Sequence, residues 1–255
     1  MLPTLKRTWS RFHIAVRSEG GRGVAALATH YLDSGRQLLG SAWARYWMGF
    51  AGLGFFGRMA TRLAGMFVPP FFGRTHLAWI TPRGYVSPTA KIHHSKLVRG
   101  PRVFIGDRVF IFQDKDGGPV ELAQGVHLYD DISILTSSGG SIEIGAHTRV
   151  QPRCQFTAAV AAIRIGTNVE IAPNCAFYPY DHGIEAGKLI REQALTTKGG
   201  ISIEDGAWLG FGVIVLDGVR IGKGAVVGAG SVVMHDIPDG AVAFGVPARV
   251  VKMRS

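Results

Sequence analysis

Residues 201–233 read ISIEDGAWLGFGVIVLDGVRIGKGAVVGAGSVV, and every sixth position from Ile203 is aliphatic: Ile203, Leu209, Val215, Ile221, Val227 and Val233. The residues two places earlier, Ile201, Ala207, Val213, Val219, Ala225 and Ser231, are small or β-branched, and glycine follows the aliphatic at Gly210, Gly222 and Gly228. An ordinary strand repeats every two residues and a helix every ~3.6, so neither explains six. A chain in which each hexapeptide is one short strand plus a turn does. Three such units close one triangular coil of a parallel β-helix.

The ladder continues upstream through Ile105, Ile111, Leu122, Leu128, Ile134, Ile144, Val150, Phe156, Ile165, Ile171 and Phe177. Its spacing departs from six between Ile111 and Leu122, Ile134 and Ile144, Phe156 and Ile165, and Phe177 and Ile203. Each departure falls three rungs after the last. In a three-sided coil all four insertions must therefore leave from one edge and stack along it. A weaker set, Val86, Ile92 and Val98, supplies the first coil. The expected fold is all-β, roughly six or seven coils long, behind an α-helical N-terminal region.

The chain has 255 residues, and its 35 glycines suit a fold that turns at every sixth residue. Residues 1–80 carry ten Lys and Arg against Glu19 and Asp33, while the remainder carries 18 against 16. The basic character belongs to the N-terminal region. We therefore divide the chain into a basic, aromatic-rich helical region, 1–80, and a hexapeptide-repeat β-helix domain, 81–255. The uncharged stretch Tyr46 to Gly57 stops at Arg58, short of the ~20 apolar residues that a span needs. Lys6, Arg7, Arg11 and Arg17 leave only Phe12 to Val16 as a largely apolar segment, which does not make a secretory signal. A cytoplasmic location is expected, at the inner face of the membrane if the N-terminal region binds lipid.

Residues 36–74 favour an interface. Trp43, Tyr46, Trp47, Phe50, Phe55, Phe56, Phe67, Phe71 and Phe72 are interleaved with or flanked by Arg36, Arg45, Arg58, Arg62 and Arg74. A helix of this composition can lie in the headgroup layer with arginines on anionic lipid phosphates. The competing expectation is a helical cap that covers the open first coil or packs on a neighbouring subunit. No stacking platform or recognition-helix pattern accompanies the charge, so nucleic acid is not an expected partner.

Cys154 and Cys175 occupy equivalent rungs, each two residues before a phenylalanine, with backbones ~4.8 Å apart if the coils stack. That distance permits a disulfide. Two small buried thiols in a reduced compartment is the reading that the expected location favours.

The largest insertion adds about twenty residues after Phe177 and begins Tyr178-Pro179-Tyr180-Asp181-His182-Gly183. Long loops on rigid scaffolds commonly carry function. His182 sits at the start of this one, held near the coil wall, and an imidazole can serve as a base near neutral pH.

Gly206-Ala207-Trp208-Leu209-Gly210, Gly218-Val219-Arg220-Ile221-Gly222, Val227-Gly228-Ala229-Gly230-Ser231-Val232-Val233 and Gly245-Val246-Pro247-Ala248-Arg249-Val250 follow one another. This succession closely resembles the hexapeptide-repeat acetyltransferases of the maltose, galactoside and polysaccharide O-acetyltransferase group. The resemblance covers about residues 165 to 252; upstream only the period matches. It implies a homotrimer of left-handed parallel β-helices with acetyl-CoA, the acyl-donor substrate, in a groove between subunits. It also implies that His182 is the general base, with Asp181 beside it as a lesser partner. Trp208, Gly210, Phe211, Ala229, Met234, His235, Arg249 and Lys252 are the implied coenzyme-contacting residues, the two basic ones meeting its phosphate end. The family commonly has Thr-Lys where this chain has Met234-His235.

The reaction this predicts is O-acetylation of a sugar hydroxyl on a polysaccharide, its lipid-linked precursor or a related glycan, with no metal. N-acetylation of an amino sugar and a non-catalytic scaffold are the alternatives. A zinc carbonic anhydrase on this scaffold would need three converging histidines. His127, His147 and His182 do not share a rung. Asp114, Asp116, Asp130 and Asp131, in turns, are expected either to meet an acceptor or to be solvated.

Overall fold

The computed structural model of the protein describes residues 40–69 and 72–254. Expectations that rest on residues 1–39, Arg36 among them, and on Phe71 fall outside the described residues.

From Tyr85 onward the chain winds around three flat faces of parallel strands, holding nine, seven and six strands. The first face runs from Tyr85–Val86 through Trp208–Leu209 to a closing antiparallel pair, Ala241–Gly245 with Ala248–Met253. The second runs from Lys91–His93 to Val232–Val233, and the third from Leu97–Arg99 to Arg220–Ile221. Each coil pairs in register with the next: Val86 with Ile105, Ile105 with Leu128, Leu128 with Val150, Val150 with Ile171, and Ile171 with Leu209. These rung residues are the ladder read from the sequence. They fill one continuous core together with the small residues two places before them, Ala207, Val213, Val219, Ala225 and Ser231.

A triangular coil leaves a narrow interior, which small or β-branched side chains fill near its corners, such as Cys154 above Ile132, while larger ones stack on its faces. Phe156 and Phe177, on successive rungs of the second face, stack with ring centroids 4.6 Å apart and an interplanar angle of 8°. Burying a side chain of this kind stabilises by ~1.5–3 kcal/mol. Cys154 and Cys175 are buried free thiols at one corner, and both donate to the Ala172 carbonyl at 3.2 Å. The neighbouring thiol and burial push Cys154 well above the ordinary thiol range, so it is no nucleophile.

All four long departures from the hexapeptide period leave from the edge between the second and third faces, after Gln113, Ser137, Ala159 and Tyr178. One rung differs from expectation. Val98 pairs with Glu121 on the outer side of the third face and is largely exposed, while Arg99 takes the register of Leu122. The first coil has no coil beneath it, so its third side is closed by Leu97 packing partly on the core and by the Arg99 stem. Burial lowers the Arg99 pKa from its ordinary value.

The helical segments lie along the first face rather than as a plug across the open end. Helical backbone covers residues 40–48, followed by Phe55–Ala64, Phe72–Thr75 and Leu77–Ile80. Ala44, Met48, Ala64 and Leu77 pack on Tyr85, Phe104 and Tyr129, which project outward from the first three coils. A smaller set of contacts meets the rim of the first coil. The Arg58 guanidinium donates to the Ala90 carbonyl at 2.9 Å and to Pro88 at 3.3 Å, carbonyls that no lower strand can reach. Arg74 pairs with Asp107 at 2.9 Å. Two of the arginines considered for lipid phosphates thus hold the helices to the coil.

At the other end the 241–253 hairpin covers the last coil and buries Ala241, Ala243 and Ala248. The upper end of the solenoid is thus closed by non-repeating structure, while the first coil is met at its rim by Arg58 and keeps an open cavity lined by Val86, Arg99 and Pro101.

Candidate active site

The long loop leaves the second face after Tyr178 and at once forms a two-stranded antiparallel ribbon, with Asp181 opposite Thr196 and His182 opposite Leu195. The ribbon holds the His182 backbone beside the coil wall while the side chain is exposed. Tyr180 lies against the imidazole with ring centroids 6.2 Å apart. The Asp181 carboxylate faces Lys198, with Nζ 3.9 Å from Oδ2.

The loop returns through Thr197-Lys198-Gly199-Gly200, where a residue that the periodicity does not mark takes over. Asp217 is buried and accepts from the Thr197 hydroxyl at 2.9 Å, from the Gly200 N–H at 3.0 Å and from the Lys198 N–H. In the sequence it reads as one more turn residue before a glycine. Only the folded loop brings three donors to it.

The edge between the first and second faces carries a column of left-handed residues: Arg108, Asp131, Arg153, Asn174, Gly212 and Gly230, with φ of 56, 60, 64, 61, 69 and 69°. The lower four hold side chains that pair along the edge. Arg108 makes a two-pronged contact with Asp131, at 2.6 and 2.7 Å, and Arg153 donates to Asn174 at 2.9 Å. Above Asn174 the column is glycine, and a Cβ at Gly212 or Gly230 would meet nothing within 4 Å. The edge is bare in the two coils that present Phe211 and Ala229. Gly210 is glycine for a different reason, since a Cβ there would lie 2.7 Å from the Ala229 nitrogen, and one at Gly228 would lie 2.8 Å from the Phe244 Cβ. These two are required for coil stacking. The edge between the third and first faces is also glycine-lined above Asn168, but there Lys223 and Asp239 flank it.

The remaining expected coenzyme contacts divide between places. Trp208 is 54% exposed and projects from the first face, beside the bare edge with Phe211 at 53%. Arg249 and Lys252 lie exposed on the closing strand of that face, opposite Phe244 and Val242. Met234 and His235 follow the last strand of the second face and so stand on the edge of the His182 loop, two coils above it. One subunit therefore carries two half-sites on two different edges, with the second face between them. The acidic residues divide in the same way. Asp114 and Asp116 belong to the insertions on the His182 edge. Asp130 and Asp131 stand on the other, where Asp130 accepts from the Asp107 N–H and Asp131 is held by Arg108.

The outer surfaces of the three faces differ in chemistry. On the third, Val98, Glu121, Glu143, Arg164, Ser202 and Arg220 form one outward line, and Arg164 reaches Glu143 at 3.8 Å. The first is covered by the helices over its lower coils. On the second, the outward line after Lys91 is Phe110, Ser133, Gln155, Ala176, Ile214 and Val232, flanked by Phe112, Leu135, Thr157, Tyr178 and Leu216. That face carries no charge above its first coil.

Among the described residues no three His, Cys, Asp or Glu side chains converge as a metal site. Nor is any helix of these residues long and apolar enough to cross a membrane.

Residues 200–235 match the bacterial transferase hexapeptide family (six repeats). The chain is 64% identical over 50 residues to the galactoside O-acetyltransferase of Lactococcus lactis, covering 20% of this chain and 24% of that protein. It is 49% identical over 55 residues to the 2,3,4,5-tetrahydropyridine-2,6-dicarboxylate N-acetyltransferase of Staphylococcus aureus, covering 22% and 23%. The matches span about a quarter of the length of these curated relatives. Among solved structures, the polySia specific acetyltransferase NeuO superimposes with a TM-score of 0.54 over 62% of this chain and 71% of that one, at 22% identity. That likeness is one of fold. The chain folds as the left-handed parallel β-helix expected from its sequence, and over residues 200–235 it resembles the hexapeptide-repeat acetyltransferases built on that scaffold.

Proposed function

We propose that the protein is an acetyl-CoA-dependent O-acetyltransferase acting on a sugar hydroxyl of a polysaccharide, its lipid-linked precursor or a related glycan, with His182 as general base. The observation that carries this reading is the placement of two half-sites on the two edges that bound an uncharged face. In a cyclic trimer with the second face toward the axis, the glycine edge of one subunit meets the His182 edge of the next. The His182 loop leaves the fifth coil and Phe211 lies on the sixth, so the two halves differ in height by about one strand spacing, ~4.8 Å.

In that groove the pantetheine arm lies along the bare edge at Gly212 and Gly230, beside Phe211 and Ala229. Trp208 stands near the acyl end, and Arg249 and Lys252 meet the phosphates. Met234 and His235, from the neighbouring subunit's edge, complete the channel. His182 takes the proton of the acceptor hydroxyl, the oxygen attacks the thioester carbonyl, and the imidazolium returns the proton to the departing sulfur. Backbone N–H groups beside the glycine turns hold the oxyanion. Asp181, turned toward Lys198, plays the lesser part.

Residues 81–255 form the transferase part of this reading. The helical region supplies peripheral contact with an anionic membrane at the cytoplasmic face. Phe55 and Phe56 are 73% and 82% exposed, and Met59, Met66, Phe67, Arg45 and Arg62 of the same helical region are exposed as well. Such a surface suits the headgroup layer.

The test is calorimetric binding of acetyl-CoA to the parent and to His182→Ala, followed by thiol release with a panel of glycan acceptors. Binding by both with release only from the parent supports the reading. An amino-sugar acceptor that outperforms every hydroxyl acceptor would replace O-transfer by N-transfer, and absence of binding by both would leave a scaffold.

A further inference from the structure

We infer that Asp217 is the positioning residue that fixes the loop carrying His182. This rests on the reading of His182 as the base, but the clamp itself has independent structural support. Asp217 follows Leu216 at the top of a strand of the second face, one coil above the loop's point of departure, because Tyr178 pairs with Leu216. Its carboxylate is buried at the mouth of the loop.

Every donor that reaches this carboxylate comes from the returning end of the loop. Oδ1 accepts from the Thr197 hydroxyl at 2.9 Å and from the Gly200 N–H at 3.0 Å, and Oδ2 accepts from the Lys198 N–H. Thr197 Oγ1 in turn accepts from the Gly199 N–H at 3.0 Å, and the Gly218 N–H donates to the Gly200 carbonyl at 2.8 Å. Such charge-assisted bonds are the strong kind, and a buried carboxylate without them would be costly. Gly199 and Gly200 adopt φ of 123 and 96°, and a Cβ at Gly200 would lie 2.4 Å from the Ala162 carbonyl oxygen. The chain can bend around the carboxylate only where side chains are absent.

The clamped segment runs directly into Leu195–Thr196, the strand that pairs with Asp181–His182. The Thr196 hydroxyl also donates to the Asp181 carbonyl at 3.4 Å. A rigid path therefore connects Asp217 to the His182 backbone: carboxylate, 197–200 turn, strand 195–196, strand 181–182. Without the clamp, the ribbon would remain tied to the coil only at Tyr178 and from Gly200 onward, where the Gly218 N–H holds the Gly200 carbonyl, leaving residues 197–199 unheld. Asp217 touches no reacting atom in this scheme; it acts through the loop.

The experiment compares the parent with Asp217→Ala, which removes both acceptor oxygens and with them all three hydrogen bonds, and Asp217→Asn, which retains one carbonyl oxygen. Hydrogen exchange by mass spectrometry reads segment 181–200 against core strands such as 213–216, and steady-state kinetics read kcat and KM for acetyl-CoA. Faster exchange of 181–200 in Asp217→Ala with the core unchanged is expected. Turnover should fall by about tenfold to a hundredfold, as displacement of a catalytic group by ~1 Å would give, with KM for the coenzyme nearly unchanged. Asp217→Asn should fall between the two. Unchanged exchange in 181–200 would overturn the clamp. Loosened exchange with undiminished turnover would overturn its role in positioning His182, and so would a rise in KM with kcat kept. Global unfolding of Asp217→Ala is recognised by faster exchange in the core strands, and the Asn variant then decides by the same criteria. If the parent's turnover does not depend on His182, it is the functional reading that falls, while exchange still judges the clamp.

Discussion

The Asp181 carboxylate faces Lys198 across the ribbon that holds His182, 3.9 Å from the ammonium. Both side chains are largely exposed, so the pair contributes at most ~1 kcal/mol to the ribbon. Asp181→Asn should lower turnover by less than about threefold, whereas His182→Ala should lower it by ~10²–10⁴-fold, the usual range for a general base. Thiol-release kinetics on the two variants check this. A loss in Asp181→Asn as large as in His182→Ala would mean that the carboxylate turns to the imidazole when substrate binds.

An uncharged second face predicts assembly through it. Leu135→Asp places a carboxylate in the middle of that face, on a strand paired with those of Phe112 and Thr157. We expect sedimentation equilibrium to show a trimer for the parent and smaller species for Leu135→Asp, with turnover lost in proportion. A charge on the third face, Ser202→Asp, should leave both unchanged.

His127 gives the fold an acid limb. It is buried against Phe104 and Tyr129, and both ring nitrogens lack a hydrogen-bond partner. Burial, with smaller contributions from Arg149 and His147, pushes its pKa from 6.5 down to about 4. The folded protein therefore holds the neutral ring at pH values where the unfolded chain binds a proton. Stability is full above pH ~6.5 and declines as pH falls toward about 4, by on the order of 3 kcal/mol. Urea unfolding at pH 7.0 and 4.5 should show this decline in the parent and a shallower one in His127→Phe.

Two glycines on one edge should respond differently to alanine. Gly230→Ala adds a methyl into open space at φ 69° and should cost ~1–2 kcal/mol in thermal unfolding, the price of left-handed backbone. It should also weaken acetyl-CoA binding if the arm lies there. Gly210→Ala drives a Cβ to 2.7 Å from the Ala229 nitrogen and should destabilise more, because two coils must separate to admit it.

The interior was legible in the sequence because a β-helix repeats one local environment. Ile203, Leu209 and Val215 occupy the same kind of place one face apart, so period alone assigns them to the core and locates the edge where the insertions leave. Val98 departs from the ladder because the first coil lacks a neighbour below, and the register of an end coil follows what covers it. The seating of the helices on Tyr85, Phe104 and Tyr129 was invisible for a related reason. Outward aromatics on a strand look alike in sequence whether water or a helix meets them.

The sequence by itself determined the solenoid, its three-sided coil, the edge of the loops and the candidacy of His182, since each follows from spacing along the chain. Only the tertiary structure decided that the glycine column and the His182 loop occupy different edges, that Asp181 turns to Lys198, and that Asp217 gathers the loop's returning end. These relations join residues that period does not relate. They depend on how many residues each insertion adds before the chain rejoins the coil, and that is settled by hydrogen bonds formed across the fold.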